Sequence, residues 1–234
     1  MIAEKNFITT QTLITGVRRQ SETGEALKIL NLSFPRPVIV VVGGADEANG
    51  CDTIRKAARV VAAAAEQNKA IVISGGTDSG VMAAIGQARA QGNHHFPLVG
   101  VAVENLVTGL NPAQKNSAPL EPHHTHFFLV PGNEWGDESG WIAHLAATLA
   151  WEQPSITVLS NGGDISLKDV VYSLKCKRPV VVLKGTGRLA DDLAHLFTSS
   201  DLIKIVPVQD EAAIFETITL ILCKIRRFLW VNAK

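Results

Sequence analysis

Four short apolar segments of this chain each end in a glycine-rich turn, and this repetition limits the possible folds more than any other feature. The segments are residues 38–42, 70–73, 156–159 and 180–183, and the turns after them are Gly43-Gly44-Ala45, Gly75-Gly76, Asn161-Gly162-Gly163-Asp164 and Gly185-Thr186-Gly187-Arg188. A stretch of helical periodicity follows each turn. Short apolar runs between turn signals are typical of buried strands, and strands that alternate with helices form parallel sheets. We therefore predict an α/β fold with a doubly wound, mostly parallel sheet of about seven strands, helices on both faces and a short N-terminal β arm.

Two prolines, Pro35 and Pro37, divide the chain into two predicted parts. Residues 1–35 alternate weakly between apolar and polar side chains, so we expect an N-terminal arm or hairpin there. Residues 36–234 are predicted to form a single domain, because 46% of the 234 residues are hydrophobic, which is ample for one large core. Within this domain residues 104–123 are long and irregular, which is typical of a functional or mobile loop.

Charge and cysteine content exclude several classes of protein. The 22 Lys and Arg residues balance 22 Asp and Glu residues, so no overall field attracts nucleic acid or an acidic membrane. Three widely spaced cysteines, Cys51, Cys176 and Cys223, argue against a disulfide scaffold. The start of the chain does not resemble a secretory signal, and the apolar segment 218–231 is interrupted by basic residues and is shorter than the roughly 20 apolar residues of a membrane span. We therefore expect a cytoplasmic protein with no transmembrane segment and no nucleic-acid partner.

The glycine turns form the candidate ligand site, because the carboxyl ends of parallel strands meet at one edge, where open α/β sheets bind ligands. Main-chain amides at such turns suit a phosphate, and Asp or Glu side chains suit a ribose diol. We expect Ser79 to cap the helix that follows it, and Arg188 either to clamp a phosphate or to pair with a neighbouring acid. The alternative is that the turns are merely tight. The predicted ligand-binding residues are Gly43, Gly44, Ala45, Gly75, Gly76, Thr77, Ser79, Gly80, Glu138, Asn161, Gly162, Gly163, Asp164, Gly185, Thr186, Gly187 and Arg188.

Three motifs that often identify the function of such a sheet are absent from the sequence. There is no G-x-G-x-x-G after the first strand, no G-x-x-x-x-G-K-[ST], and no G-x-S-x-G. These absences remove the commonest enzyme interpretations of such a sheet.

Three histidines, His123, His124 and His126, invite a metal interpretation, because His124 and His126 would share one face of a strand. No acidic or cysteine partner stands at a helpful spacing, so we predict no metal site and consider hydrogen bonds that pin the loop as the alternative. Trp135 either stacks on a base or fills its own loop.

Several segments resemble a known family. Residues 40–45, 73–82, 124–130 and 181–191 are similar to the N-terminal cytosolic region of TRPM cation channels and, more closely, to the stand-alone prokaryotic members of the LSDAT or SLOG family. The resemblance covers about residues 36–200 and implies a Rossmann-like fold. The wider superfamily includes the LOG phosphoribohydrolases, often called lysine decarboxylase-like, and the DNA-processing protein DprA. Because this region binds ADP-ribose in some TRPM channels, the resemblance implies a sensor of ADP-ribose, NAD or a related nucleotide such as AMP, with no required cofactor.

The enzymes of that superfamily carry P-G-G-x-G-T-x-x-E, whose final Glu serves N-glycosidic cleavage. In the corresponding residues 161–169 the Pro, the third Gly and the Thr are replaced, and Asp169 stands where Glu is expected. A carboxylate that is one methylene shorter is retracted from the reacting centre, so we favour a binding module over an enzyme. The alternatives are a LOG-like nucleoside 5′-monophosphate phosphoribohydrolase with Asp169 or Glu138 as its acid, and a non-binding oligomeric structural domain. Because the last helix is apolar on two sides, we expect a second subunit or the N-terminal arm to cover its second face. The expected protein partner is therefore a second copy in a homo-oligomer, with an effector protein as the alternative.

Overall fold

The computed structural model describes residues 12–45, 52–110 and 116–231, with side chains through residue 223. Its strands are β1 (Leu13–Gly16), β2 (Val38–Gly43), β3 (Ile71–Ser74), β4 (Leu98–Val103), β5 (His126–Val130), β6 (Ser155–Ser160), β7 (Val180–Lys184) and β8 (Ile203–Pro207). Its helices are α1 (Thr23–Ile29), α2 (Asp52–Gln67), α3 (Gly80–Gln91), α4 (Ser139–Ala150), α5 (Asp164–Lys175), α6 (Arg188–Leu196) and α7 (Glu211–Val231). The strands form one eight-stranded, all-parallel sheet in the order β1-β5-β4-β3-β2-β6-β7-β8. The predicted α/β, Rossmann-like fold class is confirmed.

The helices cover the sheet in two layers, each with its own apolar core. Helices α2, α3 and α7 pack on one face, and α1, α4, α5 and α6 pack on the other. Strands β3 and β4 are buried along their whole length, which explains why the central strands are nearly continuous apolar runs. The spacing of apolar residues predicts one inward face for α2, and this face is confirmed, since all of its members are buried: Ile54, Ala57, Ala58, Val61, Ala62 and Ala65.

Residues 12–35 are part of the sheet and of one helical layer. Strand β1 pairs in parallel with β5, with Leu13 opposite His126 and Gly16 opposite Leu129. Helix α1 follows and buries Leu27 completely, because the apolar residues at positions 26, 27 and 30 share one helical face. A hairpin would pair two antiparallel strands with each other, whereas the described part of this segment has one strand and one α-helix. The proposed domain boundary at residue 35 stays a prediction.

Helix α7 closes the first layer by packing along α2. Ile214, Ile218 and Leu222 are buried in the same core as the alanines of α2. The apolar residues of α7 beyond residue 223, among them Ile225, Phe228 and Leu229, lie outside the described side chains. Among the described residues, no helix is both long enough and apolar enough to cross a bilayer.

Candidate functional site

The two central strands, β2 and β6, mark the point where the chain reverses its direction across the sheet. They pair in parallel from Val38 opposite Ser155 to Gly43 opposite Ser160. After Gly43 the chain passes to α2 on one face, whereas after Ser160 it passes to α5 on the other face. Because the two connections diverge, a crevice opens outside the carboxyl ends of β2 and β6, which is the usual ligand position in open α/β sheets.

Glycines at this edge let main chains from three turns touch. A Cβ on Gly43 would overlap the carbonyl oxygen of Ser160, and one on Gly44 would lie 2.8 Å from Oδ1 of Asn161. Gly80 has a φ of +49°, and a side chain there would overlap the carbonyl oxygen of Gly44. The structure therefore brings the turn after β2 against both the start of α3 and the turn after β6.

The start of α3 is closed by main-chain contacts. The N–H of Val81 donates to the carbonyl of Gly44 at 3.1 Å, and the N–H of Asp78 donates to the carbonyl of Pro119 at 2.9 Å. Ser79 occupies the N-cap position, but its hydroxyl pairs with that of Thr77 at 3.0 Å and makes no capping bond to the helix, which corrects the predicted side-chain cap. Several amides expected to face an anion are therefore already bonded within the protein.

The start of α6 is closed as well. The carboxylate of Asp191 accepts the N–H groups of Gly185 and Gly187, the second at 3.1 Å. Farther into the helix, the N–H groups of Leu189 and Ala190 donate to the carbonyls of Gly162 and Asn161 at 3.3 and 3.2 Å. Sequence reasoning missed Asp191, although a carboxylate in the first turn of a helix is a known partner for such amides.

Thr186 and Asn161 join the turns after β6 and β7. The Thr186 hydroxyl accepts the N–H of Asn161 at 2.7 Å and donates to the carbonyl of Leu183 at 2.7 Å, while Nδ2 of Asn161 donates to the carbonyl of Thr186 at 2.9 Å. Asn161 has a φ of +60° and Gly162 a φ of +108°. This network holds the Gly162-Gly163 turn in place beside α6.

The start of α5 differs, because its first amides have no acceptor within the helix. Gly163 is the N-cap, no side chain caps the helix, and the first intrahelical bond is from Leu167 N–H to the carbonyl of Gly163 at 2.9 Å. The three amides before Leu167, from residues 164–166, therefore precede the helical ladder. The Arg188 guanidinium lies against Gly163, where a Cβ would be 2.6 Å from Nη2. A positive helix end beside a guanidinium suits an anion.

Two buried acids, Glu138 and Asp169, lie between α4 and α5. Glu138 accepts the N–H of Gly136 at 2.8 Å, and burial raises the pKa of its carboxyl. Burial, together with the charge of Glu138, raises the pKa of Asp169 to about 7. The Ser139 hydroxyl lies near enough to lower this pKa, although within the described residues neither Ser139 Oγ nor Asp169 Oδ1 has a hydrogen bond of good geometry. The structure thus brings the two predicted acids close enough to interact electrostatically and buries both.

The histidines bind an acid that sequence reasoning missed. Glu121 accepts hydrogen bonds from Nδ1 of His123 and from Nδ1 of His124, at 2.5 and 2.7 Å. His126 pairs instead with the Thr125 hydroxyl, at 2.7 Å. The alternative expectation, that two of the histidines pin the loop by hydrogen bonds, is confirmed for His123 and His124. Their acidic partner, Glu121, stands two and three residues before them, a spacing that the sequence analysis overlooked. In the described part of the chain, no group of three His, Cys, Asp or Glu residues is placed to hold a metal ion.

Trp135 anchors a loop. Its indole N–H donates to the carbonyl of Asn116 at 3.0 Å, which connects the turn after β5 to residues 116–124. This contact favours the second interpretation of Trp135, in which the ring fills its own loop region.

Comparison with known proteins identifies the family. The family described as "SLOG in TRPM, prokaryote" matches residues 36–220. The chain belongs to this family. It is also 28% identical to a transient receptor potential cation channel subfamily M member-like 2 of Nematostella vectensis, over 70% of this chain, and it spans 13% of the length of that relative.

Two solved structures share the fold of this SLOG chain. One is the molybdenum cofactor binding protein of Rippkaea orientalis, with a TM-score of 0.54 and 17% identity, covering 80% of this chain and 99% of that protein. The other is the molybdenum cofactor carrier protein of Chlamydomonas reinhardtii, with a TM-score of 0.54 and 18% identity, covering 79% of this chain and 98% of that protein. Identities this low support the shared fold alone.

Proposed function

We propose that this SLOG protein binds a nucleotide-derived ligand at the β2/β6 crevice and acts as a ligand sensor. The observation that carries the proposal is the open start of α5, where the residue 164–166 amides and the Arg188 guanidinium converge beside Gly163. Phosphate is the ligand group that best matches several main-chain donors, a helix dipole and one guanidinium. The family supports the same conclusion, because the SLOG fold is a nucleotide-binding fold. In the Nematostella vectensis relative the matching region is a small part of a much longer channel protein, as befits a sensor domain.

The candidate ligands are ADP-ribose, NAD and AMP, which share a phosphate attached to a ribose. Asp164 is exposed in the first turn of α5, and in this proposal its carboxylate accepts hydrogen bonds from the ribose diol next to that phosphate. The molybdenum cofactor is the competing candidate, because the two similar structures are named for binding or carrying it.

Isothermal calorimetry with ADP-ribose, NAD, AMP and molybdenum cofactor tests this proposal. We expect a nucleotide to bind, and Arg188→Ala to weaken its binding about tenfold or more, the typical loss for a charge-assisted hydrogen bond. Lys175→Ala is the matched control, because it removes one positive charge from the opposite end of α5. The proposal is wrong if none of the nucleotides binds, or if the two variants lose the same affinity. Binding of molybdenum cofactor alone would assign the crevice to that ligand.

A phosphoribohydrolase is the second candidate, and the raised pKa of Asp169 favours it. A carboxyl with a pKa of about 7 is half protonated near neutral pH, as a general acid requires. Release of adenine from AMP, abolished by Asp169→Asn but retained in Lys175→Ala, would support this activity. Unchanged AMP after incubation at high protein concentration would rule out this activity and leave ligand binding as the only proposed function.

A further inference from the structure

Beneath the Gly75-Gly76 turn, three buried polar side chains form a continuous hydrogen-bonded chain. The Ser74 hydroxyl lies 2.8 Å from Nε2 of His124, and Nδ1 of His124 lies 2.7 Å from Oε2 of Glu121. None of the three residues is more than 1% exposed. They lie between the carboxyl end of β3 and helix α3, next to the crevice and apart from the anion site at α5.

The acid at one end fixes the direction of every bond in this chain. Burial alone would raise the pKa of Glu121, but the hydrogen bonds from His124 and His123 offset it and lower the pKa overall, so the side chain is a carboxylate. A carboxylate only accepts, so Nδ1 of His124 carries a hydrogen. Burial lowers the pKa of His124 and keeps the ring neutral, so its Nε2 accepts from the Ser74 hydroxyl.

Helix α3 has a gap that accommodates this acid. A Cβ on Gly86 would overlap the Glu121 carboxylate, so only glycine at this position lets the acid reach the histidines. The carboxylate also accepts the N–H of His123 at 2.9 Å. A buried carboxylate with three donors and a tailored gap is a built feature of the fold rather than a chance contact.

The order Ser–His–Glu matches the order of a serine hydrolase triad, yet the burial excludes a nucleophile. A nucleophilic hydroxyl must reach a substrate carbonyl. The Ser74 side chain is completely buried, and its oxygen already accepts the N–H of Gly76 at 3.2 Å. The hydroxyl therefore serves to hold the Gly75-Gly76 turn, by accepting its main-chain N–H.

Both main-chain polar groups of Gly76 are bonded to members of this hydrogen-bonded chain. Its N–H donates to Ser74 Oγ, and its carbonyl accepts the N–H of Glu121 at 2.9 Å. Gly76 has a φ of +74°, and a Cβ there would lie 2.7 Å from the Cα of Gly100. The following residue, Thr77, forms an antiparallel bridge with Leu120. The position of loop 116–124 is thus linked directly to the turn after β3.

We propose that Glu121, His124 and Ser74 form a positioning relay, which holds the Gly75-Gly76 turn and the start of α3 as the fixed wall of the crevice. The start of α3 touches the turn after β2 through Gly80 and Gly44, so displacement of the relay moves a wall of the ligand site. Only the predicted effect of the relay on ligand binding rests on the proposed function. Its effect on the turn stands independently.

Amide hydrogen exchange measured by NMR tests the relay in the full chain. In Ser74→Ala the N–H of Gly76 loses its acceptor, so we expect it to exchange about tenfold faster. Ser173→Ala is the matched control, because Ser173 is also a buried serine, with its hydroxyl 2.7 Å from that of Thr157 on β6. Exchange at Gly76 that is equal in the two variants would overturn the relay.

A second measurement needs no variant and covers the case in which Ser74→Ala does not fold. The ¹⁵N signals of the wild-type His124 ring at pH 7 should show a neutral ring with its proton on Nδ1. A proton on Nε2, or a charged ring, would overturn the relay, because Nε2 could then no longer accept from Ser74.

ADP-ribose calorimetry on the same proteins separates the relay from the proposed function. We expect Ser74→Ala to weaken ADP-ribose binding about fivefold relative to Ser173→Ala, through the displaced wall. If the wild-type protein binds no ADP-ribose, that ligand is excluded from the proposed function. The exchange rate at Gly76 is then the measurement that tests the relay. If exchange at Gly76 accelerates while affinity is unchanged, the coupling of the relay to the site is wrong.

Discussion

Replacing Gly86 by alanine is a sharp test of the packing around Glu121. In an ordinary helix interior this change stabilises a protein by about 1 kcal/mol, because glycine is a poor helix former. Here the added methyl group would overlap the Glu121 carboxylate, which accepts hydrogen bonds from the His123 main chain and from both histidine rings. Separating a buried charge from its partners costs about 3–5 kcal/mol. The net effect should be a loss of about 2–4 kcal/mol.

Urea unfolding of Gly86→Ala measures this loss, and a fall in Tm of about 5–15 °C should accompany it in a domain of this size. Gly24→Ala is the matched control, because Gly24 also lies in a helix and nothing lies within 4 Å of its added methyl group. That variant should be neutral or slightly stabilised. A loss in Gly86→Ala no larger than in Gly24→Ala would refute the packing argument.

A double-mutant cycle identifies the cause of the loss. In a Glu121→Ala background the carboxylate is gone, so the methyl group at position 86 has room. Adding Gly86→Ala to Glu121→Ala should then stabilise the protein by about 1 kcal/mol, as in an ordinary helix interior, and the coupling energy should be about 3–5 kcal/mol. Additive losses would mean that the methyl group clashes with something other than Glu121.

Three further predictions concern buried ionisable groups. Because the pKa of Asp169 is raised to about 7, the folded state keeps a proton that the unfolded state releases from about pH 4 upward. The free energy of unfolding should therefore fall by up to about 4 kcal/mol as the pH rises from about 4 to 7. Urea unfolding of Asp169→Asn across the same pH range should show no such fall. Burial lowers the pKa of His126 to about 4, so acidification from pH 6.5 to 4 should cost up to about 3 kcal/mol, a cost absent from His126→Gln in the same titrations. Burial also lowers the pKa of Arg178, whose Nη1 has no hydrogen-bond partner among the described residues, so Arg178→Met should change the unfolding free energy by less than about 1 kcal/mol.

Local patterns in the sequence were sufficient to predict the central sheet. The strand predicted at residues 70–73 lies at residues 71–74, and a helix begins at Asp52, where a helix cap is expected, since burial on both faces demands continuous apolar runs and packing on a sheet demands one apolar helix stripe. Apolar periodicity alone predicts that helix α5 starts near Leu167, but it begins three residues earlier, at Asp164, because Gly163 takes the N-cap position. The short edge strand β1 was placed in an arm because parallel pairing with β5 joins residues more than 110 positions apart.

The sequence could not predict whether the amides at each helix start are free or already hydrogen-bonded, because this depends on contacts between distant turns. Four glycine turns looked equivalent as anion sites. In the structure Pro119 and Gly44 supply acceptors at the start of α3, and Asp191 closes the start of α6. Glycine and turn propensities are local properties of the sequence. They cannot predict that an amide is hydrogen-bonded to a carbonyl some 40 residues away.

The crevice therefore has two sides with different physical roles. On the β3 side, the main-chain donors are bonded within the protein and the buried positioning relay holds the turn, so substitutions there should lower stability first and binding only through displacement of the wall. On the β6 side, α5 starts without a cap beside Arg188, so substitutions there should lower binding with little effect on stability. Leaving a helix start uncapped costs about 1 kcal/mol, and a bound phosphate would recover that cost by satisfying the same amides. A ligand that binds through its phosphate should consequently raise the Tm of the wild-type protein, and Arg188→Ala should reduce that rise more than it changes the Tm of the unliganded protein.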